Sequence, residues 1–273
     1  MNTMTKHTTA ARIALVAVVA LTLPAWGAGA KPPAPAPPKV GAAEMKILRD
    51  LEAAGDKYRT IKADLDYLVL IPMLGDSERR TGYVAYSKGD ANTPSRFRVS
   101  FNTLQLGEKA AKTAEKVDYA FDGQWLTVAK HKIKNITMYQ LAAEGKKVEA
   151  LKIGKGPFPV PFGQSATEMA KYFVPTTRKP VKRDPKGTIY LRLTTRPEHA
   201  SEMPTTRMEM WIDAKTHLPV KLKSRDKDRK ITTVEFKDIQ TNKAVDPKVF
   251  TIRRPRGYEV IRRPLGRGGA PAP

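Results

Sequence analysis

From Lys186 to Ile261 the chain alternates apolar and polar residues in one short segment after another. Ile189, Leu191 and Leu193 lie on one side of such a segment, with Tyr190, Arg192 and Thr194 on the other. Met208, Met210 and Ile212 are set against Arg207, Glu209 and Asp213, and Leu218, Val220 and Leu222 against Lys221 and Lys223. Strand side chains have period two, so each segment offers one apolar and one wet face. Asp213-Ala214-Lys215-Thr216 and Asp226-Lys227-Asp228 read as turns between segments, which predicts an antiparallel meander. A one-sided sheet must cover its apolar face, and what covers it bears directly on function.

The first residues predict where the protein works. Lys6 and Arg12 precede an apolar run from Ile13 to Leu23, followed by Pro24 and Ala28-Gly29-Ala30. A basic start, a short apolar core and a small-x-small ending form a secretory signal peptide, residues 1–30, with cleavage expected after Ala30. At about eleven apolar residues the run falls short of the ~20 that a spanning helix needs. The chain has no cysteine, which excludes disulfides, thiolate metal sites, thiol nucleophiles and cysteine lipidation. Export without disulfides suits a bacterial periplasm, the expected compartment, as well as full secretion. Residues 31–42 hold the proline-alanine stretch Lys31 to Val40, an extended linker. Residues 43–264 suffice for one all-β or α+β domain, and residues 265–273 read as a disordered tail.

The formal net charge is +22, which falls to +20 once Lys6 and Arg12 leave with the signal. Such an excess draws a protein toward anionic surfaces. Export removes nucleic acid, the ordinary partner of a basic chain, and leaves transient contact with anionic lipid headgroups or lipopolysaccharide. A solvated strand face is the plainer reading, since Lys221, Lys223 and Arg225 recur at every second residue.

Residues 43–54 predict a helix with Ile47, Leu48, Leu51 and Ala54 on one stripe, ended by Gly55. Strands follow at 61–71, 82–86, 97–101 and 117–121. Asp122-Gly123 turns a hairpin into 125–129, and 134–141 is a further strand. Residues 188–261 supply five more, including 231–239 and 249–253. Roughly eleven strands are more than an open twisted sheet holds without curling, so a curved sheet or incomplete barrel is expected. The central segment, 144–183, is a loop containing Gly154, Gly156, Pro157, Pro159 and Pro161. Within it Ser165 and Glu168 have capping-box spacing and open a short helix over 166–173, stopped by Pro175. Met169, Tyr172 and Phe173 would share one face of it. A proline-hinged loop with a two-turn helix suits a cover over the apolar sheet face. A fixed core helix is the other reading, and the two agree if the cover opens.

The order of elements, with the residues in them, resembles the LolA-like family of outer-membrane lipoprotein carriers. The similar passages begin with Tyr58-Arg59-Thr60-Ile61-Lys62-Ala63, Gly82-Tyr83-Val84, Phe97-Arg98-Val99 and Tyr119-Ala120-Phe121-Asp122-Gly123-Gln124-Trp125-Leu126. They continue with Trp211-Ile212-Asp213, Leu218-Pro219-Val220, Val234-Glu235-Phe236-Lys237-Asp238-Ile239, Asn242, Phe250 and Pro255-Arg256-Gly257-Tyr258-Glu259-Val260. The resemblance implies a mainly β (α+β) fold, an unclosed antiparallel β-barrel or half-barrel of about eleven strands with short helices as a lid. It also implies a monomeric periplasmic carrier that shelters acyl chains of lipoproteins or other lipids in an apolar cavity. An inner-membrane donor complex and an outer-membrane acceptor would be its partners; no nucleic acid and no cofactor is implied. Candidate lining residues are Phe97, Val99, Phe101, Met138, Met169, Phe173, Met208, Met210 and Phe236, each of which could equally be plain core.

Two positions depart from the family pattern. The carriers' lid-holding arginine before a proline is matched here by Thr93 before Pro94, and the glutamine ending their first strand motif by the region of Asp66 and Tyr67. Arg96 or Arg98 is the candidate replacement for the lid contact. The absence of a lipidated cysteine sets aside the family's membrane-anchored receptor, and no further domain is expected such as its stress-sensing relatives carry. For catalysis the chain offers little. His7, His131, His199 and His217 lack metal-ligand spacing, no HExxH, GxSxG or P-loop pattern occurs, and Gly154-Lys155-Gly156 is too short to bind phosphate. Asp64 and Asp66 share a strand face and form the one conceivable acid/base or cation pair, although solvated charges commonly alternate so. No enzyme is expected. A carrier, a non-catalytic envelope binding or scaffold protein on the same half-barrel, and an envelope hydrolase are the three readings, in that order.

Overall fold

The computed structural model describes residues 40–90, 93–143 and 164–265. The signal stretch, nearly all of the proline-alanine linker, the Gly/Pro-rich part of the central loop and the tail after Leu265 lie outside the described residues.

The first element among the described residues is helix α1 (Ala42–Lys57), whose buried stripe is Leu48, Leu51, Ala54 and Gly55. The helix runs past Gly55, which sits on the packed face instead of ending the helix. Burial of that stripe outweighs glycine's penalty of about 1 kcal/mol. Six strands follow: β1 (Thr60–Ile71), β2 (Asp76–Ser87), β3 (Arg96–Leu106), β4 (Thr113–Phe121), β5 (Trp125–Lys130) and β6 (Asn135–Gln140). Then come helix α2 (Ala166–Tyr172) and strands β7 (Phe173–Arg178), β8 (Thr188–Thr195), β9 (Thr205–Asp213), β10 (Pro219–Asp226), β11 (Ile231–Thr241) and β12 (Glu259–Arg263).

These strands form one twelve-stranded sheet in the order β12-β6-β5-β4-β3-β2-β1-β11-β10-β9-β8-β7, open between its two end strands. It is an unclosed, mainly antiparallel half-barrel. Three expectations are corrected. The sheet gains β7, because Pro175 does not end the chain's extended path: β7 is an end strand, where a residue without an N–H is tolerated. Residues 249–253 are not a strand. Pro247 opens a 3-10 turn, Pro247–Phe250, whose first backbone N–H, that of Lys248, donates to Asp246 Oδ1 at 2.9 Å. Finally, β12 pairs with β6 in parallel, so the sheet is mixed.

Curling has a local cause. Register breaks lie in the β1–β11, β2–β3, β3–β4 and β9–β10 ladders, and an extra residue on one strand bends it and sharpens its twist. At the β2–β3 break Gly82 faces Phe101, and a Cβ on Gly82 would meet the Ser100 carbonyl oxygen at 1.8 Å. Only glycine allows that approach.

The apolar faces of the strands point to the concave side, where Ile61, Leu65, Val84, Phe121, Leu191, Leu193, Ile212 and Val234 join the α1 stripe and Met169 of α2 in one core. The convex side has its own smaller packing. Leaving β11, the chain crosses it as a strap, residues 242–258, before entering the sheet as β12. Arg98 Nη1 donates to the carbonyl oxygens of Val249 and Thr251 at 3.0 and 3.3 Å. Phe250 is buried near the Arg96 guanidinium, 5.7 Å from the ring centre. Beneath the strap lies Asp118, 1% exposed, which accepts from Ser100 Oγ at 2.6 Å and pairs with Arg98 Nη2 at 2.7 Å and His131 Nε2 at 2.8 Å. His131 Nδ1 in turn meets the Tyr258 hydroxyl at 2.9 Å. One buried carboxylate thus organises the contacts that fasten the strap.

Burial pushes the Asp118 carboxyl up, but the hydrogen bonds from Ser100, Arg98 and His131 together outweigh it and hold the group below its ordinary 3.8. A folded pKa below the unfolded one gives stability that is present above the unfolded value and lost as pH falls through the folded value. Asp118→Asn should therefore cost about 3 kcal/mol at neutral pH by stranding the Arg98 charge. Wild type and variant should converge in urea-melt stability as pH drops below 3.8. A gap that persists unchanged at that acidity would show that the carboxylate charge is not what fastens the strap.

Candidate functional site

Among the described residues the concave face concentrates apolar, adaptable side chains under a small cover. Its floor on the β2–β4 side is aromatic: Phe97 stacks on Phe121 across strands at 5.6 Å, Phe101 packs against Tyr67 at 5.4 Å, and Tyr119 meets Phe101 edge-on at 6.2 Å. On the β8–β9 side it is lined by Leu191, Leu193, Met208 and Met210. Methionine's unbranched thioether chain refills irregular space readily, and Met203, wholly buried in the β8–β9 connection, adds another.

At the open end of this face the lining turns polar. Arg80, opposite Tyr67 on the neighbouring strand, pairs with Glu78 and donates through Nη2 to Glu115 Oε1 at 3.2 Å, and Lys132 Nζ lies 3.7 Å from Glu115 Oε2. Burial pushes the Tyr67 and Tyr119 hydroxyls up from their ordinary values, so both remain neutral phenols near neutral pH. The site therefore grades from an apolar floor to a charge-balanced, hydrogen-bonding rim.

The cover is made of α1 and α2, which touch each other and β7. Ser165 caps α2 as its spacing with Glu168 predicts, its Oγ accepting from the Glu168 N–H at 3.5 Å. The other end of α2 is held by a residue that the sequence did not single out. Arg196, 7% exposed, donates through Nε to the Ala170 carbonyl at 3.0 Å and through its backbone N–H to the Tyr172 carbonyl at 2.9 Å. A guanidinium on the last carbonyls of a helix satisfies orphan acceptors and complements the helix dipole. The Tyr172 ring rests edge-on against His199 at 4.8 Å, beside the same anchor.

Eight of the nine predicted lining residues, Phe97, Val99, Phe101, Met169, Phe173, Met208, Met210 and Phe236, belong to the concave core, each no more than 8% exposed. They fill the face by packing on one another. The glycine-proline part of the flap, 144–163, lies outside the described residues. Met138 is a correction. It pairs with Thr127 and Arg262, whereas its neighbour Tyr139 pairs with Leu126 and packs on the core, so Met138 faces the convex side. Arg96 and Arg98 also turn away from the cover, to Phe250 and to Asp118. The Thr93 N–H donates to Asp90 Oδ1 at 2.8 Å within its own loop.

Asp64 and Asp66 line a convex groove of about 330 Å³ with Thr81, Gly82, Asn102 and Lys237. Arg79 grips Asp66 with two hydrogen bonds, at 2.8 and 2.5 Å, and holds its carboxyl below the ordinary range. A carboxylate so engaged is a poor general base. Among the described residues no three His, Asp or Glu side chains gather as a metal would require.

No family model and no curated protein matches the chain. Among solved structures it is similar to an uncharacterized conserved protein from Thermus thermophilus, with TM-score 0.44, 10% identity, 81% of this chain and 99% of that one covered. It is similar to an outer-membrane lipoprotein-sorting protein domain from Vibrio parahaemolyticus, with TM-score 0.39, 10% identity and coverage of 76% and 96%. A third is the Pseudomonas aeruginosa MucA/MucB complex, with TM-score 0.40, 15% identity and coverage of 78% and 62%.

Arg196→Met should remove about 2 kcal/mol of charge-assisted bonding from the end of α2. Hydrogen exchange should then quicken over residues 166–172 while the amides of β8 to β11 keep their protection. Uniform loss of protection would instead make Arg196 a support of the whole fold.

Proposed function

We propose that the protein is an exported, non-catalytic carrier that shelters acyl chains of lipoproteins or other lipids between the concave sheet face and the cover formed by α1 and α2. The observation that carries the reading is the pairing of a methionine- and aromatic-rich concave face with a seven-residue helix, α2, held at its C-terminal end by Arg196. Each buried methylene of an acyl chain is worth about 0.8 kcal/mol, so a chain of about sixteen carbons costs about 12 kcal/mol to pass through water. Transfer between envelope membranes needs a shelter of that order. Lifting α2 takes Met169 out of the core it shares with Met208 and Met210, whose side chains can repack around a tail. With Lys132 beside Glu115, the rim of Arg80, Glu78 and Glu115 is balanced in charge and suits the uncharged ester or amide end of the tail better than a free carboxylate.

Export to the periplasm is supported by the basic start and apolar run of the first thirty residues and by the lack of cysteine. Donor and acceptor complexes in the inner and outer membranes would then be the partners. The competing reading, a scaffold that uses the same face for a protein and carries no lipid, makes a different prediction.

Protein purified from the periplasm of a Gram-negative host and analysed by native mass spectrometry should carry a co-purifying acyl species. A fluorescent fatty-acyl probe should enter Arg196→Met several-fold faster than wild type. Empty protein that takes up no probe in either form, yet elutes with a protein partner, would replace the carrier by the scaffold.

A further inference from the structure

The carrier reading says nothing about where the protein meets a membrane, and the convex strap addresses that. Between Arg253 and Arg262 the chain places four arginines on the strap side, Arg253, Arg254, Arg256 and Arg262, all exposed, with Glu259 as the one acidic residue among them. Arg263, paired with Tyr139, belongs to the other face of β12. Among the described residues none of these four takes part in an ion pair or a side-chain hydrogen bond. Some cations elsewhere on the surface are matched, Arg79 with Asp66, Lys88 with Asp56, Arg178 with Asp184 and Lys221 with Glu235. Others, such as Lys182 and Lys186, have no such partner among the described residues. What sets the strap apart is that its cations are all arginines close together in the chain. The strap's arginines are thus a local excess of charge on a backbone that is itself fixed. Arg98 holds the carbonyls of Val249 and Thr251, His131 holds Tyr258, the Glu259 N–H donates to the Lys134 carbonyl at 2.9 Å, and β12 is hydrogen-bonded along β6.

We propose that this arginine strap is a docking surface for the phosphate headgroups of an anionic phospholipid bilayer. Guanidinium forks match phosphate oxygens with paired hydrogen bonds and give up their water more readily than ammonium groups do. Clusters of four to eight basic residues are the usual basis of attraction to anionic leaflets. Two observations favour a bilayer over a nucleic acid. The strap's two aromatic residues are both engaged, Phe250 buried and Tyr258 against the His131 ring, which leaves no row of aromatic rings on which successive bases could stack. Beside it, in the turn that receives Tyr258 and Glu259, Ile133 stands 65% exposed between Lys132 and Lys134. An apolar side chain among cations fits the boundary between headgroups and acyl chains. Because the strap lies on the convex side, docking there leaves the concave face and its cover unobstructed.

The test is co-sedimentation of the exported protein with vesicles of phosphatidylcholine alone or of phosphatidylcholine and phosphatidylglycerol in equal parts. Wild type should bind only the anionic vesicles, and less as salt rises. Arg253→Gln/Arg254→Gln/Arg256→Gln should lower that binding at least about tenfold. The charge-matched Lys109→Gln/Lys112→Gln/Lys215→Gln, on other turns, should barely change it. Equal loss in both triples, equal binding to neutral vesicles, or no vesicle binding at all overturns the proposal. So does strap-dependent binding to a short DNA duplex with none to vesicles. Should the strap triple fail to fold, Arg262→Gln on β12 is read in the same assay, with a smaller loss in the same direction expected, and unchanged binding counting against the proposal. Vesicle binding is measured whether or not an acyl species co-purifies, so this surface and the carrier reading stand or fall separately.

Discussion

Everything in this fold answers to one demand: the apolar face of a wide sheet must be kept from water by very little helix. The strands turn most of their large apolar residues to one side, while α-helices of only sixteen and seven residues lie among the described residues to cover it. At ~25 cal/mol per Å² an uncovered face of that size could not persist. The sheet therefore has to cover much of itself by curling, and the irregularities in its ladders are the means. The register break at Gly82 and Asn102 recurs on both sides of β3, bending the sheet where the aromatic floor is densest.

Curling leaves a seam, since the sheet does not close. Both ends of the sheet show how exposed backbone is managed. At one end Pro175 removes a donor from β7, which makes that edge a poor template for further pairing. At the other end the strap brings β12 alongside β6 in parallel, and its last strand carries Arg262 and Arg263 outward. Charged side chains on an edge discourage further pairing in the same way. The Asp118 cluster is part of this arrangement. It fastens the strap to β3 and to the turn before β6, so the added strand is tied through side chains as well as through its own ladder.

How far the sequence revealed this depends on how local each cause is. The period-two segments of β1, β3, β8, β9 and β11 were legible because one face of each is buried and the other wet, and alternation records that directly. In β6 the same logic misplaced Met138. Ile136 and Met138 share one parity, Tyr139 and Leu141 the other, and both sides of this strand are partly covered: the core takes Tyr139, while Ile136 is 3% exposed on the convex side. When both faces are covered, alternation no longer says which is inward. β7 was hidden because proline normally argues against a strand, and its place at the sheet's end is a fact of topology. Arg196 left no local trace, since its target, Ala170, lies in a helix twenty-six residues earlier. Arg98 was visible as a basic residue on a strand, but only the strap's path decides that it faces Asp118 and the Val249 carbonyl instead of the cover.

The two faces of the sheet end up with opposite characters and opposite fastenings. On the concave side apolar contacts dominate, and the short cover is held by Arg196 at one end of α2 and by the Ser165 cap at the other. Apolar packing is non-directional, so such a face can exchange one set of apolar neighbours for another at modest cost. On the convex side the strap is fastened by directional bonds to a buried carboxylate, which cannot be exchanged without stranding charge. The physical chemistry thus assigns plasticity to the face under the helices and rigidity to the face under the strap. A molecule that had to open on one side while presenting a fixed charged surface on the other would need that distribution.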